Sequence, residues 1–458
     1  MNSSKKINSD EKLRHLRKDD KEKNERCFPP NNDTLNYHSI ILVELIESDN
    51  FDNLIQGLKS LYKDSNVIDY NNVEIAINTI QNQKNKLFTS AWKLFLPTIS
   101  DIGNTTPNMV SHDLGEFFKF VNLGLEGVSP SMIILSIRAD LKDVATEKLN
   151  DILCKYHDSD FELVETERGA YEEHFGPSNI KYFEISKLKG EIKGSLLGFI
   201  AKFFDGFFLN LWMKDNEDLK INENIKIIPC IDLYSLSFPE NNEELMKWAR
   251  ENNDFLYCIS ISLWNNIFKN ENFIIGQKEF HYGGKINNYF ILSKATEDEL
   301  DSFTYCSFSL LGIERFTTQM ELIFGDIHSI LSNEITKLKE NEFEELIETR
   351  KNIFNEIFHF ERFKTEINQY WEYVDYCEFS SITNRTQFFS TIQNNIKNRL
   401  LILDNYIKYS YKHSDYNFNL ASVEHNDKVQ NNVIWLSIIV LVLTIIQALL
   451  AYVQFTKP

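Results

Sequence analysis

Apolar residues at helical spacing mark the last third of the chain. Five of them recur at seven-residue steps: Leu346, Ile353, Phe360, Ile367 and Val374. This is the heptad spacing at which long helices pack along their length. The sequence from 326 to 457 also contains no glycine and no proline, the residues that most often end helices. The pattern predicts a stalk of long antiparallel or coiled-coil-like helices over 312–432.

A second helix of the stalk is predicted from a further apolar stripe. Its members are Phe388, Ile392, Ile396, Leu400 and Leu403. The predicted corner between the two helices is Ser380–Thr386, where Asn384 and Gln387 are spaced as a capping pair. The polar stretch His413–Asn432 then either continues the helix or forms a loop.

An uncharged apolar run, Val433–Phe455, follows the stalk. As a helix its 23 residues are about 34 Å long, against a hydrocarbon core of about 30 Å. Fifteen of them are Leu, Ile, Val or Phe, which favour insertion by about 5–9 kcal/mol before the cost of polar residues. The run predicts one C-terminal transmembrane helix. A buried core helix is the alternative.

The polar residues of this run share one helix face. At 100° per residue, Ser437, Thr444, Gln447 and Gln454 fall within about 120° of one another. Such a stripe favours helix association in lipid, and hence a homo-oligomer, by about 0.6–2 kcal/mol per contact. A lone span that tolerates a few weakly polar residues is the alternative, and a water-lined pore is a special case of association.

Both ends of the sequence bear on topology. Residues 1–33 are charged, lack the apolar core of a signal peptide and are predicted to form a disordered arm. Only three residues follow the predicted span, so it would insert after the rest of the chain is made. We therefore expect a single-pass protein of a bacterial cell (inner) membrane. Its bulk would be cytosolic and its C-terminus would lie on the far side.

The first two thirds of the chain divide into two predicted regions. Residues 34–128 are predicted to be helical, beginning with the pattern of Ile40, Leu42, Val43, Leu45 and Ile46. Residues 129–311 are predicted to be an α+β domain with a mixed sheet. Its strands are expected at 132–137, 161–166, 225–236, 255–263, 273–282, 285–292 and 304–311, with a helix at 140–156. The apolar segment 194–213 is predicted to be a core helix, with a membrane-touching segment as the alternative.

Charge and cysteine content narrow the class of protein. The net charge of −19 argues against nucleic acid as a partner, because phosphate binding needs a basic surface. The six cysteines are widely spaced, without a C-x-x-C pair, which predicts reduced, mostly buried thiols. The chain thus gives no disulfide framework and no zinc site.

The sequence contains no recognised catalytic motif: phosphate-binding glycine loops, H-E-x-x-H and G-x-S-x-G are all missing from it. His157 and His174 bracket an acidic segment that could bind a divalent cation, or could be a solvated cluster. A nuclease-like interpretation would combine Asp160 with Glu191 and Lys193. His359, between Glu356 and Glu361, suits a packed or half-exposed position better than the role of a metal ligand. No cofactor is assigned.

The predicted order of an α/β cytosolic domain, long paired helices and a membrane segment resembles the CorA family of divalent-cation channels, over roughly residues 130–455. CorA-type channels have two spans and a Gly-Met-Asn signature, whereas this sequence has one predicted span and no glycine after Gly325, so no site residue is carried over. The resemblance implies a symmetric oligomer whose soluble domain senses a divalent cation or a protein partner and acts through its stalk. The alternative is a membrane-anchored enzyme or scaffold with a passive span.

Overall fold

A computed structural model forms two compact units, residues 1–318 with 366–396 and residues 319–365 with 397–458. Parts of both units are described. These are residues 14–15, 17–63, 70–85, 92–102, 109–166, 169–206, 209, 229–237, 239, 242–259, 268–270, 273–278, 288–293, 311–318, 320–321, 351, 354–355, 357–358, 360–368, 370 and 385–456.

A mixed sheet organises the first unit. Its strands are β1 (Asn36–Glu47), β2 (Trp92–Phe95), β3 (Ile99–Asp101), β4 (Val110–His112), β5 (Phe118–Ser129), β6 (Met132–Leu141), β9 (Cys230–Ser235), β10 (Phe268–Asn270), β11 (Phe273–Lys278) and β12 (Asn288–Ser293). They run in the order β10-β11-β12-β9-β1-β6-β5-β3-β4, and β2 pairs with β5. The pairs β9–β12 and β3–β4 are parallel and the others antiparallel, which confirms a mixed sheet in an α+β unit. A separate hairpin joins β7 (Asp160–Thr166) and β8 (Gly169–Phe175).

The prediction of a helix across residues 40–46 is wrong. These residues form the middle of β1, which pairs with β6 on one side and β9 on the other. Every residue from 39 to 46 is buried, so both faces of the strand are covered. Strands buried on both faces lose the alternating pattern. The sheet therefore crosses the expected boundary at 128–129, with β1 and β5 before it and β6 after it.

Helices cover both faces of the sheet. Gly312 lies against one face, where an added Cβ would be 2.8 Å from Ile134 Cδ1 and 3.0 Å from Val43 Cγ1. Glu44, the next residue of β1, points to the other face, because successive side chains of a strand alternate. Its carboxylate accepts a hydrogen bond from the Leu209 amide at 2.7 Å. Leu209 follows the helix Pro177–Ile200, which covers this face.

The helices of the first unit match the predicted ones in part. The predicted helix at 140–156 and the helix over the start of 194–213 are confirmed, but the predicted strand at 255–263 is wrong, since a helix occupies its first residues. The predicted edge strand at 304–311 lies outside the described residues except for Leu311, which is helical. Seven of the helices are α1 (Asp20–Glu25), α2 (Phe51–Leu61), α3 (Tyr70–Asn85), α4 (Asp143–Cys154), α5 (Pro177–Ile200), α6 (Asn242–Glu251) and α7 (Asn253–Cys258), and residues 311–318 are helical as well.

The prediction of disorder over 1–33 is wrong for residues 20–25 of the charged N-terminal arm, which form α1, while residues 1–13 and 16 lie outside the described residues. Helix α1 is held by polar contacts to the segment before β7. Asp20 accepts hydrogen bonds from the Ser159 amide and hydroxyl, both at 2.6 Å, and Asn24 donates to the His157 carbonyl at 2.7 Å. Both α1 residues are buried, so specific partners compensate for the low apolar content of the arm.

One continuous helix, α8 (Arg385–Thr456), forms the last 72 described residues. It confirms a helix through the second apolar stripe and shows that His413–Asn432 continues the helix. Among its described side chains, Ile392, Ile396, Leu400 and Leu403 are buried as the stripe predicts. The side chain of Phe388 and most of the predicted corner lie outside the described residues.

Candidate functional site: an exposed apolar helix and a buried charged cluster

The apolar end of α8 is exposed to solvent over its described side chains. The segment Asn426–Ala448 is long and apolar enough to cross a membrane, and it is the one such helix in the part of the chain that the structure describes. None of this segment is buried. Side chains such as Trp435 (65% exposed) and Leu441 (61%) would be costly to leave in water. The segment overlaps the predicted span at 433–455.

Two members of the predicted polar stripe satisfy their hydrogen bonds within the helix. The Ser437 hydroxyl donates to the Val433 carbonyl and the Thr444 hydroxyl to the Val440 carbonyl, both at 2.7 Å. In lipid, such bonds remove the need for a partner on another helix. Gln447 is exposed, and nothing is described of the side chain of Gln454. Gln447 is therefore the described stripe residue with most to gain from a second helix.

The predicted stalk seam is described at two of its five positions. Phe360 and Ile367 are fully buried, and the seam itself stays a prediction. Leu346, Ile353 and Val374 lie outside the described residues, as does His359.

A row of polar residues lies inside the first unit, on strand β9. Cys230, Asp232 and Tyr234 alternate with apolar residues, so they face the same side of the sheet, and all three are buried. Tyr37 of β1 donates from its hydroxyl to Asp232 Oδ1 at 2.6 Å. The Tyr37 and Tyr234 rings stack with centroids 4.6 Å apart.

Two lysines of α5 face this row. Lys189 and Lys193 are one helical turn apart, and their Nζ atoms lie 3.8 and 3.5 Å from Asp232 Oδ2. Lys193 Nζ is also 2.8 Å from Cys230 Sγ, and Lys189 donates to the Ile259 carbonyl at 3.2 Å. Both lysines are almost fully buried. The five side chains on this face, together with Tyr37, make up what we call the buried charged cluster.

The cluster contains two ammonium groups for one carboxylate. Burial lowers the pKa of Lys189 to about 8. Burial also acts to lower the pKa of Lys193, but the carboxylate charge of Asp232 and the hydrogen bonds to Cys230 and Asp232 outweigh it, and the net shift is upward. Burial raises the pKa of the Cys230 thiol. Lys193 is thus the permanent partner of Asp232, whereas Lys189 is the lysine that loses its proton first.

Neither a metal site nor the nuclease-like interpretation is supported by the described residues. They contain no group of three His, Cys, Asp or Glu placed to hold a metal ion. His157 Nε2 lies 3.6 Å from Glu184 Oε2, while the side chain of His174 is outside the described set. Glu191 is exposed and Lys193 is buried against Asp232. Positions two apart point to opposite sides of a helix, so the E-x-K pattern does not converge on Asp160.

Sequence reasoning missed the buried charged cluster, although a signal was present. The alternation Cys230-x-Asp232-x-Tyr234 lies in a predicted strand, and Lys189 and Lys193 have the spacing of one helix face. The sequence does not indicate that the strand and the lysine pair face each other in the folded chain.

Comparison of the chain with protein-family models, with curated proteins and with solved structures finds no match.

Proposed function

We propose that this chain is a single-span membrane protein in which α8 fastens the α+β unit to a lipid bilayer. The observation that carries the proposal is the exposed apolar segment of α8, which continues from a helix with a buried face. A bilayer is the occupant that suits it, because the exposed surface surrounds the helix and is about as long as a hydrocarbon core.

The proposal includes a sensing role of the CorA-like kind. The α+β unit would bind a ligand or protein partner on the cytosolic side, and the helical stalk would transmit that binding to an oligomeric membrane segment. Support comes from contacts within the second unit: Lys364 pairs with Asp404, and the rings of Phe354 and Tyr411 lie 5.6 Å apart. The later residue of the first segment, Lys364, contacts the earlier residue of α8, Asp404, and the earlier residue, Phe354, contacts the later one, Tyr411. This reversed order is the one expected of two antiparallel helices.

A second candidate function is a passive anchor for an enzyme or scaffold. The intrahelical bonds of Ser437 and Thr444 favour it, because these residues then need no neighbouring span. The two candidates share the anchor and differ in whether Gln447 makes a contact between chains.

The anchor is tested by placing charge in the span of the full-length chain. Lysine in place of an apolar residue near the centre of a span costs about 3–4 kcal/mol. The double variant Ile439→Lys/Leu443→Lys therefore loses about as much free energy as the whole apolar run supplies. We expect the wild-type protein to stay with membranes after alkaline extraction and the double variant to be released.

The matched control places two lysines at the same spacing on exposed positions of α8 outside the apolar run, Asn405→Lys and Tyr409→Lys. This control should remain with the membrane. Release of the wild-type protein by alkali, or equal retention of both double variants, would overturn the anchor.

A further inference from the structure

A line of exposed side chains runs along α8, from the stalk into the apolar end. Four large apolar residues at seven-residue steps begin it, each between 42% and 61% exposed: Ile402, Tyr409, Tyr416 and Val423. The same step continues through Gln430, Ser437 and Thr444, which are exposed as well. We call these seven residues the heptad line. From the first to the last it covers six steps, about 63 Å of helix.

The heptad line lies opposite the face of α8 that packs within the second unit. On the packed face, Asp404 pairs with Lys364 and the ring of Tyr411 contacts that of Phe354 edge-on. Tyr409 precedes Tyr411 by two positions, which is about 200° around a helix, and the rest of the line follows at heptad steps. A helix with one packed face normally carries polar residues on the other. Large apolar residues there indicate a second packing partner.

The seven-residue step indicates what kind of partner fits. A straight helix drifts by about 20° per heptad, so a heptad line stays in contact along its length only with another helix in a left-handed supercoil. A heptad pattern kept over about three to four repeats is typical of a coiled coil. The six steps of the heptad line exceed that length. The partner is therefore a long helix.

We propose that this partner is a second copy of the chain, whose α8 lies parallel and in register. The geometry rests on the proposed membrane function, because two spans that enter one bilayer from the same side hold their stalks parallel and level. Each residue of the line then meets its own counterpart, and a charge there would face itself. No residue of the line is charged. The acidic and basic residues of 402–430 lie elsewhere on the helix: Asp404, Lys408, Lys412, Asp415, Glu424, Asp427 and Lys428.

The heptad line enters the apolar end at Ser437 and Thr444. Their hydroxyls donate to carbonyls of their own helix, so neither needs a polar partner on the second copy. Small residues let two helices approach closely in lipid. The contact between copies thus begins in the stalk with large apolar side chains and continues in the span with small ones.

Single cysteine substitutions in the full-length protein test this contact in the membranes of the expressing cells. Tyr409→Cys and Val423→Cys each place a thiol on the line, about 21 Å apart along the helix. A disulfide forms only where two Cα atoms come within about 7 Å. Oxidation with copper phenanthroline should link each introduced thiol to its own counterpart, seen as a dimer on a non-reducing gel and as a linked pair of identical peptides by mass spectrometry. Antiparallel helices could align at most one of these positions, so links at both identify a parallel pair.

The matched controls lie one position earlier, Lys408→Cys and Ser422→Cys. Each turns the thiol by about 100° around the helix and should not link to its counterpart. The wild-type protein gives the background from the native cysteines. Equal linking at line and control positions, or no link at a line position, would overturn the proposal. A link from the line to another part of the chain, or to a different protein, would overturn it as well.

Alkaline extraction of the same oxidised membranes separates this test from that of the anchor. Retention of the protein without links at the line would show that the pairing is wrong while the anchor stands. Release by alkali would remove the anchor. Because oxidation precedes extraction, the links still decide the pairing: their presence at both line positions supports it, and their absence overturns it.

Discussion

At the scale of single residues, the charge balance of the buried cluster is the most testable feature. Asp232 is fully buried and faces two ammonium groups. Removing one partner of a buried ion pair leaves uncompensated charge, which typically costs about 3–5 kcal/mol. We expect Asp232→Asn to lower the free energy of unfolding by about that amount, measured by urea denaturation in detergent.

The control for this substitution is Asp158→Asn, a change of the same kind at an exposed position. It should alter the free energy of unfolding by less than about 0.5 kcal/mol. Equal effects of the two substitutions would show that the buried carboxylate contributes no more to the free energy of unfolding than an exposed one does.

Lys189 gives the cluster a defined pH dependence. Its pKa is about 8 in the folded protein and 10.5 for the ordinary side chain. Between these values the unfolded chain holds a proton that the folded protein has released, so this residue makes stability rise with pH. Lys189→Met abolishes that rise. We therefore expect the stability of the variant relative to wild type to fall as the pH increases from 8 to 10.5.

The measurement is urea denaturation of both proteins at several pH values, with reductant present to keep the thiols reduced. Packing losses in the variant shift the difference by a constant and leave its slope unchanged. A difference that stays constant over this range would contradict the assignment of Lys189 as the lysine that loses its proton.

At the scale of elements, the sequence predicted those whose patterns are local. Helix α4, strand β6 and the helical run of α8 follow from periodicity, from turn residues or from the missing glycine and proline. Strand β1 could not be distinguished from a helix, because burial of both faces removes its alternation. In α7, aromatic residues typical of strands occur in a helix that packs on α5, so tertiary contacts outweigh local preference.

The apolar end of α8 leads to a prediction about oligomerisation. Gln447 is exposed on α8, and in lipid its amide group is best satisfied by another helix. Gln447→Leu should therefore lower the oligomeric mass of the detergent-solubilised protein, measured by light scattering. Ser437→Ala and Thr444→Ala should not, because these hydroxyls already bond within the helix.

This comparison separates the two candidate functions. An oligomer that is unaffected by Gln447→Leu, or a wild-type monomer, would show that the polar stripe makes no contact between chains and would leave the span as a passive anchor.

At the scale of the whole molecule, sequence reasoning recovered the α+β class and the long C-terminal helix. It missed that the sheet extends into the first 128 residues. Strand β1 joins β6 and β9, which are about 100 and 190 positions away, and no local pattern encodes such pairings. The buried charged cluster was missed for the same reason, because its lysines and its carboxylate come from separate elements.

Hydrogen exchange of the full-length protein in lipid nanodiscs tests whether the apolar end of α8 lies in a bilayer. The adjoining stretch 413–425 of the same helix is the internal reference. We predict strong protection of the amides that begins near Asn432 and continues through Phe455, with much faster exchange in the reference stretch. Equally fast exchange in both stretches would show that the apolar end of α8 does not lie in the bilayer.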